Sequence, residues 1–216
     1  MEVVIIGISG AVGGLLAERL LARGDTVRGL VRREAQRTEW ERRGAEVVVG
    51  ELADWGVPEL AALLEGADAV VYAAGSNGGH RDVTTAVDGE GVARAAEAAR
   101  VAGVDRFLLV SVLPESWRER ELGEEVEYYF AVKKAAEVAL VRTGLDWLVL
   151  RPALLTDDPA AGTVSLGPAE LHEQVSRADV ATVLAALVHQ PRIRRRILEL
   201  NQGTTPVEEA VSDVGR

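Results

Sequence analysis

Cysteine is absent from the 216-residue chain, which excludes a disulfide framework, a thiol nucleophile and any zinc site built on thiolates. No apolar run approaches the ~18 residues that a membrane-spanning helix needs. Positive charge is in deficit: 24 Lys and Arg face 34 Asp and Glu, for a net charge of −10 and a pI near 4.9. Such a surface repels a phosphate backbone, so nucleic acid is not an expected partner, although a local basic patch around a nucleotide phosphate is compatible with it. There is no internal repeat, low-complexity tract or linker, and no basic segment with a cleavage site ahead of the first strand-like run. The expectation is one domain spanning 1–216 in a soluble, cytoplasmic protein.

What the chain does contain begins at once. Val3-Val4-Ile5-Ile6 reads as a buried strand, Gly7-Ile8-Ser9-Gly10-Ala11-Val12-Gly13 as a glycine turn, and Leu15 to Arg23 as a helix. That order is the one a dinucleotide-binding βαβ unit requires. Gly7 would turn the chain sharply, Gly10 would let amides approach a pyrophosphate, and Gly13 would let the helix sit close on the strand. The positive end of the helix dipole then faces the phosphates. The spacing is G-x-x-G-x-x-G, and an ordinary tight turn between strand and helix is the plainer alternative.

Strand-like and helical runs alternate almost to the end of the chain. Strands are expected at Val27–Val31, Glu46–Val49, Ala69–Ala73, Arg106–Val110, Trp147–Leu150 and Ile197–Leu200. Helices are expected at Glu34–Arg43, Pro58–Leu64, Thr85–Ala102, Glu127–Thr143, Asp179–His189 and Pro206–Val211. Gly24, Gly44, Gly66, Gly103 and Gly144 each follow a helical run, where a left-handed cap is wanted. Repeated strand–helix units with strands apolar on both faces predict an α/β fold with a doubly wound parallel sheet, the Rossmann arrangement. Two segments break the pattern, 113–125 and 156–173. In an open α/β sheet, ligands bind beyond the carboxyl ends of the strands, so these segments are the candidates for the substrate pocket and its lid.

Several short motifs recur in order: Gly7–Gly13, Gly29-Leu30-Val31-Arg32-Arg33, Gly50-Glu51-Leu52 and Tyr72-Ala73-Ala74-Gly75-Ser76. Val87-Asp88, Arg106–Ser111, Tyr129-Phe130-Ala131-Val132-Lys133, Leu150-Arg151-Pro152 and Ser176–Ala181 follow. Together they resemble an atypical short-chain dehydrogenase/reductase, of the compact NAD(P)H-binding group that includes NmrA-like proteins and flavin/biliverdin-type reductases. The likeness runs from Met1 to about Val211. It departs from the family pattern at Ile8-Ser9, which replace the usual Ala-Thr pair, at Glu51, where the family usually has Asp, and at Val112, where a second small polar residue is common.

The resemblance implies a cofactor site and a reaction. Its phosphate-contacting turn falls on Gly7, Ser9, Gly10, Ala11, Val12 and Gly13. The second strand ends in Arg32-Arg33 with no acid until Glu34, which favours the 2′-phosphate of NADP(H) over NAD(H); Arg32 resembles the family's phosphate-binding arginine, and Arg33 would assist. Glu51 and Leu52 would lie at the adenine, Ala73-Ala74-Gly75 would pass close to the cofactor, and the backbone after Pro152, from Ala153 to Leu155, would face the carboxamide. Tyr129 and Lys133 stand four apart on one helix face. In a reductase of this type the lysine holds the ribose hydroxyls and lowers the phenol pKa, the tyrosine donates a proton, and Ser111 orients a substrate carbonyl. Among the doublets Tyr128-Tyr129 and Lys133-Lys134, only Tyr129 with Lys133 gives the four-residue step.

Other polar residues invite plainer readings. His80 is expected to be a solvated loop residue, His172 to touch substrate if the second lid covers the site, and neither His172 nor His189 has a metal-ligand partner in sequence; no metal is expected. Asp88 reads as structural, Asp157-Asp158 as a solvated turn, and Asp179 as a helix-start acid or a partner of Arg177. Trp117 and Leu122 would supply an apolar wall, and Glu115, Glu119, Glu121, Glu124 and Glu125 would disfavour an anionic substrate unless they face solvent. The function expected is an NADPH-dependent oxidoreductase acting on a small carbonyl or conjugated substrate. A non-catalytic NADP(H)-binding redox sensor is the alternative, and nucleotide-sugar epimerisation a third. The helices Thr85–Ala102 and Glu127–Thr143 would form the contact of a homodimer, with a compact monomer as the alternative.

Overall fold

The computed structural model describes residues 1–76, 79–115 and 120–216. The first half of the chain supplies β1 (Glu2–Ile6), α1 (Ala11–Ala22), β2 (Thr26–Val31), α2 (Glu34–Arg42), β3 (Glu46–Val49), α3 (Val57–Leu64) and β4 (Ala69–Tyr72). One continuous helical path follows, made of α4 (Arg81–Thr84), a π-helical segment (Thr85–Glu90) and α5 (Gly91–Ala102). Then come β5 (Arg106–Val110), α6 (Glu124–Val141), β6 (Asp146–Pro152), β7 (Leu154–Thr156), β8 (Thr163–Gly167) and β9 (Gln174–Ser176). The last third ends with α7 (Arg177–Val188), β10 (Arg196–Gln202), β11 (Thr205–Pro206) and α8 (Val207–Val214).

Nine strands form one sheet in the order β11-β8-β10-β6-β5-β4-β1-β2-β3. From β3 to β10 every neighbouring pair is parallel. The run β3-β2-β1-β4-β5-β6 is the Rossmann order. The departure from the all-parallel expectation is at the far edge, where β8 pairs antiparallel with β10 and β11 with β8. The segment 156–173 is therefore not simply a loop, since it carries β8, while β7 and β9 form a separate two-stranded parallel ribbon.

The alternation of strand residues explains why both faces are covered. Val3 and Ile5 of β1 enter one core with Val71 and Leu108, against Leu16 and Leu20 of α1 and Val183 and Leu187 of α7. Val4 and Ile6 enter the other with Val70, Phe107 and Leu109, against Leu60 of α3, Ala95 and Ala99 of α5, and Leu140 of α6. A strand whose successive side chains are all apolar can only lie between two helical layers.

Gly24, Gly44, Gly66 and Gly103 adopt positive φ as the helix-cap reading requires, but Gly144 does not. There the Thr143 hydroxyl turns the chain, donating to the Leu140 carbonyl at 2.7 Å and accepting from the Leu145 amide at 3.3 Å, so a left-handed residue is unnecessary.

Arg106 opens β5 with a buried guanidinium that donates to three carbonyls, those of Ile193 (2.6 Å), Leu187 (2.8 Å) and Gln190 (3.3 Å). It clamps the end of α7 to the sheet. Arg106→Met should strand these acceptors and cost about 2 kcal/mol. For a chain of this length that lowers Tm by roughly 4–8 °C in a thermal melt followed by circular dichroism; a variant melting with the wild type would refute the clamp.

Candidate functional site

The site begins where β1 and β4 lie side by side and their connections leave for opposite faces of the sheet, the switch point at which open α/β folds hold ligands. Gly7 leaves β1 at φ +99°, and a Cβ on it would sit 2.5 Å from the Ala74 amide nitrogen. The Gly10 amide donates to the Gly7 carbonyl at 2.9 Å, closing the turn. A Cβ on Gly13 would fall 2.2 Å from the Gly7 carbonyl oxygen, so α1 can lie on this turn only because that residue is glycine.

A cavity of about 540 Å³ opens at the carboxyl ends of the strands. Its wall takes in Gly7, Ser9, Gly10, Ala11 and Val12 from the turn, Arg32 at the end of β2, and Glu51 and Leu52 after β3. Ala73, Ala74 and Gly75 after β4, Ser111 after β5, Tyr129 and Lys133 on α6, and Pro152, Ala153 and Leu155 complete the set that the sequence brings together. Two expected members do not line it. Gly13 acts from behind, as the contact just described. Arg33 is exposed at the start of α2, where the Gln36 side chain accepts from its backbone amide at 3.1 Å. Arg32 remains the cation at this end of the cavity, with no carboxylate partner among the described residues.

At the other end, α6 brings in the pair that the four-residue step selects. Tyr129 and Lys133 face the cavity, whereas Tyr128 hydrogen-bonds Thr85 at 2.5 Å under the Arg81 guanidinium, and Lys134 pairs with Glu115. Ser111 Oγ is buried with no hydrogen-bond partner among the described residues, leaving a hydroxyl free for a ligand. The Lys133 ammonium donates to the Val110 carbonyl at 3.0 Å and lies 3.5 Å from the Asp88 carboxylate, both groups being buried. Burial lowers the lysine from its ordinary range, opposed by the Asp88 charge.

The expectation that Lys133 lowers the phenol of Tyr129 is corrected here. Burial and then the Asp88 carboxylate push the phenol above its usual value. Tyr129 is thus a protonated hydroxyl throughout the neutral range.

Asp88 is the residue whose place the sequence understated. It accepts from the Ser76 amide at 2.9 Å, as a structural acid would, but it also forms part of the cavity wall. It rides on the π-helical segment, two of whose carbonyls also accept from side chains. The Tyr72 hydroxyl donates to the Val87 carbonyl at 2.5 Å, and Arg94 donates to that of Ala86 at 3.3 Å. These side chains take up carbonyls that lie outside the regular α-helical ladder. A Cβ at Gly91 would meet the Tyr72 hydroxyl at 2.4 Å.

The remaining polar residues fall where the plain readings put them, with additions. His80 is exposed outside the cavity, while His172 lines it and is pushed below its ordinary value by burial. Asp179 is the buried helix-start acid, accepting from the amides of Ala161 and Gly162 at 2.9 Å, and Arg177 pairs with the exposed Asp157 instead. Glu115, Glu121, Glu124 and Glu125 are exposed, three of them paired with Lys134 or Arg81. Leu122 is half-buried away from the cavity wall, and from 113–125 it is Leu113 that reaches it. Trp117 and Glu119, with Asn77 and Gly78 of the turn before His80, lie outside the described residues. Among the described residues no cluster of His, Asp or Glu could hold a metal ion, and no helix is long and apolar enough to cross a membrane.

Comparison with known proteins bears on this site. The family described as NAD(P)H-binding matches residues 7–191. A Bacillus subtilis protein named as an uncharacterized sugar epimerase, YhfK, is 36% identical over 98% of this chain and 99% of its own. The solved structure of the oxidoreductase YlbE from Lactococcus lactis is 25% identical, covers 99% of this chain and 96% of its own, and superposes with a TM-score of 0.85. ChuY of Escherichia coli O157:H7, described as an anaerobilin reductase, is 26% identical over 94% of this chain and 97% of its own, with a TM-score of 0.79.

Proposed function

Because the chain belongs to the NAD(P)H-binding family, in its compact short-chain dehydrogenase/reductase-like form, we propose that it is an NADPH-dependent oxidoreductase acting on a small carbonyl or conjugated substrate. The observation that carries this reading is the convergence of Ser111, Tyr129 and Lys133 on the cavity that also holds the Gly7–Val12 turn and Arg32. The residues fit a dinucleotide: the turn offers amides at a helix N-terminus, and Ser111 Oγ is a buried hydroxyl without a protein partner. When bound, the nicotinamide supplies the hydride.

The chain's own groups divide the remaining work. Arg32 presents a guanidinium for a ribose 2′-phosphate. Of the three N–H donors of Lys133, one is used on Val110 and one faces Asp88, which leaves a third for a ribose hydroxyl. Ser111 Oγ donates to the carbonyl oxygen of the substrate, and the Tyr129 hydroxyl holds a proton beside it. With its pKa raised, Tyr129 is a weak acid, so positioning carries more of the rate than proton transfer. Exposed Val83 and Leu154 on the cavity wall suit a substrate with an apolar body, and the reductase activity given for ChuY supports reduction as the reaction.

The test is a titration with NADPH and NADH followed by nicotinamide fluorescence. Arg32→Ala should weaken NADPH by roughly 10–100-fold, the worth of a charge-assisted pair, and leave NADH little changed. Equal losses for both nucleotides would remove Arg32 as the phosphate reader, and no binding of either by folded wild type would refute the proposal. Carbonyl, quinone and flavin acceptors are then screened for NADPH oxidation with wild type and Tyr129→Phe; binding without turnover of any acceptor would favour a sensor. The name given to YhfK supports sugar epimerisation as a second reading, which predicts conversion of a nucleotide sugar with no net consumption of NADPH.

A further inference from the structure

Burying an aspartate and a lysine together is costly unless their geometry serves a purpose. Asp88 is fully buried and Lys133 is 4% exposed. One carboxylate oxygen of Asp88, Oδ2, is occupied by the Ser76 amide. The other, Oδ1, is buried without a hydrogen bond among the described residues and lies 3.5 Å from Lys133 Nζ. A purely structural acid would be satisfied by the backbone. This one keeps an unspent oxygen toward an ammonium on the cavity wall, and it does so from a π-helical turn, two of whose carbonyls accept from Tyr72 and Arg94.

We propose that Asp88 is the positioning residue for Lys133, holding its ammonium charged and in place so that the free donor meets a ribose hydroxyl of the nucleotide. The inference rests on the nucleotide-binding reading above. Asp88 links three pieces of the wall: the loop after β4 through Ser76, the π-helical segment it stands on, and α6 through Lys133. The charged and titratable groups around the pair are few. Glu137 acts on Lys133 from α6, but Arg151 of β6 binds it; Tyr129 on α6 and Tyr72 on β4 face Asp88 and stay neutral. Arg94 on α5 lies beyond Tyr72. Removing the Asp88 charge therefore leaves burial as the dominant influence on Lys133, and the ammonium gives up its proton at a lower pH.

The sign follows. Asp88→Asn should lose at least tenfold in NADPH affinity as pH rises, and should begin to lose it at lower pH than wild type does. In a Lys133→Met background, Asp88→Asn should cause no additional loss. A cofactor-free measurement stands beside these: the Lys133 side chain, labelled with 13C at Cε and assigned by its absence in Lys133→Met, should titrate at lower pH in Asp88→Asn than in wild type. If wild type binds no nucleotide, the functional reading fails, and the 13C titration still decides whether Asp88 sets the charge of Lys133. An Asp88→Asn protein with the wild-type pH profile and the wild-type lysine titration overturns the proposal. So does an affinity loss of the same size with or without Lys133. Should Asp88→Asn fail to fold, the Asp88→Asn/Lys133→Met double variant should fold, since no ammonium is then stranded; a double variant as unfolded as the single overturns the proposal too.

Discussion

Gly13→Ala is expected to weaken nucleotide binding by roughly 100-fold and to destabilise the fold by about 3 kcal/mol, although the new methyl touches no ligand. The added carbon would stand 2.2 Å from the Gly7 carbonyl oxygen, 2.9 Å from its carbon and 3.3 Å from Ile8 Cα. All three are backbone atoms of the turn itself, so no flexible side chain can swing away. Relief requires α1 to withdraw from β1 by an ångström or more, and with it the first-turn amides that would meet a phosphate. Leu16, Ala17 and Leu20, all fully buried, are pulled from their contacts by the same movement. Fluorescence titration with NADPH and a thermal melt measure the two effects. A variant that binds normally would mean that the turn yields more easily than its geometry implies.

Glu137→Ala should be the most damaging change away from the glycine turn, lowering stability by about 3–5 kcal/mol. Glu137 sits on α6 with 2% of its surface exposed and accepts from Arg151 Nε at 3.0 Å and Nη2 at 2.5 Å. Arg151 has a second acid, Glu199 of β10, at 3.6 Å, so the guanidinium ties α6, β6 and β10 together. Without Glu137 the arginine keeps only the longer contact, and much of its charge is uncompensated in a half-buried place. The corresponding fall in Tm is roughly 6–20 °C. Replacing both partners, as Glu137→Leu with Arg151→Met, should recover part of the loss, because the buried pair leaves together, while Glu199 loses its arginine and keeps only the Glu170 amide at 2.8 Å. A single variant melting within 2 °C of wild type, on the order of what ~1 kcal/mol produces, would show that Glu199 alone suffices.

Much of this was legible from residue order, because the relevant physics is local. Apolar runs such as Val3–Ile6 and Phe107–Val110 announce strands buried on both faces, and Gly7–Gly13 between a strand and a helix announces the turn. What escaped depends on residues far apart in sequence. Thr163–Gly167 is too short and too mixed to read as a strand; it becomes one by pairing with β10. At the π-helical turn the Val87 carbonyl accepts from the Tyr72 hydroxyl, 15 positions away in sequence. The Y-x-x-x-K spacing placed Tyr129 and Lys133 on one face but could not reveal the burial of the phenol and the nearby Asp88 carboxylate, which together raise it. Arg32 was expected to read the phosphate with Arg33 assisting; the start of α2 puts Arg32 on the cavity wall and leaves Arg33 outside it.

The position of β10 bears on how the protein is made. Leu148 to Leu150 of β6 are paired on one side with β5, which precedes them, and on the other with residues 196–198 of β10. Some 44 positions separate Pro152 from Arg196, so at ~5–20 residues per second a nascent chain presents the open side of β6 for about 2–9 s before its partner emerges. That side is flanked by Leu148, Val149 and Leu150, an edge of the kind other chains adhere to. The half-built sheet is thus the most vulnerable state the chain passes through, and slow translation between residues 152 and 196 should raise the fraction lost to aggregation.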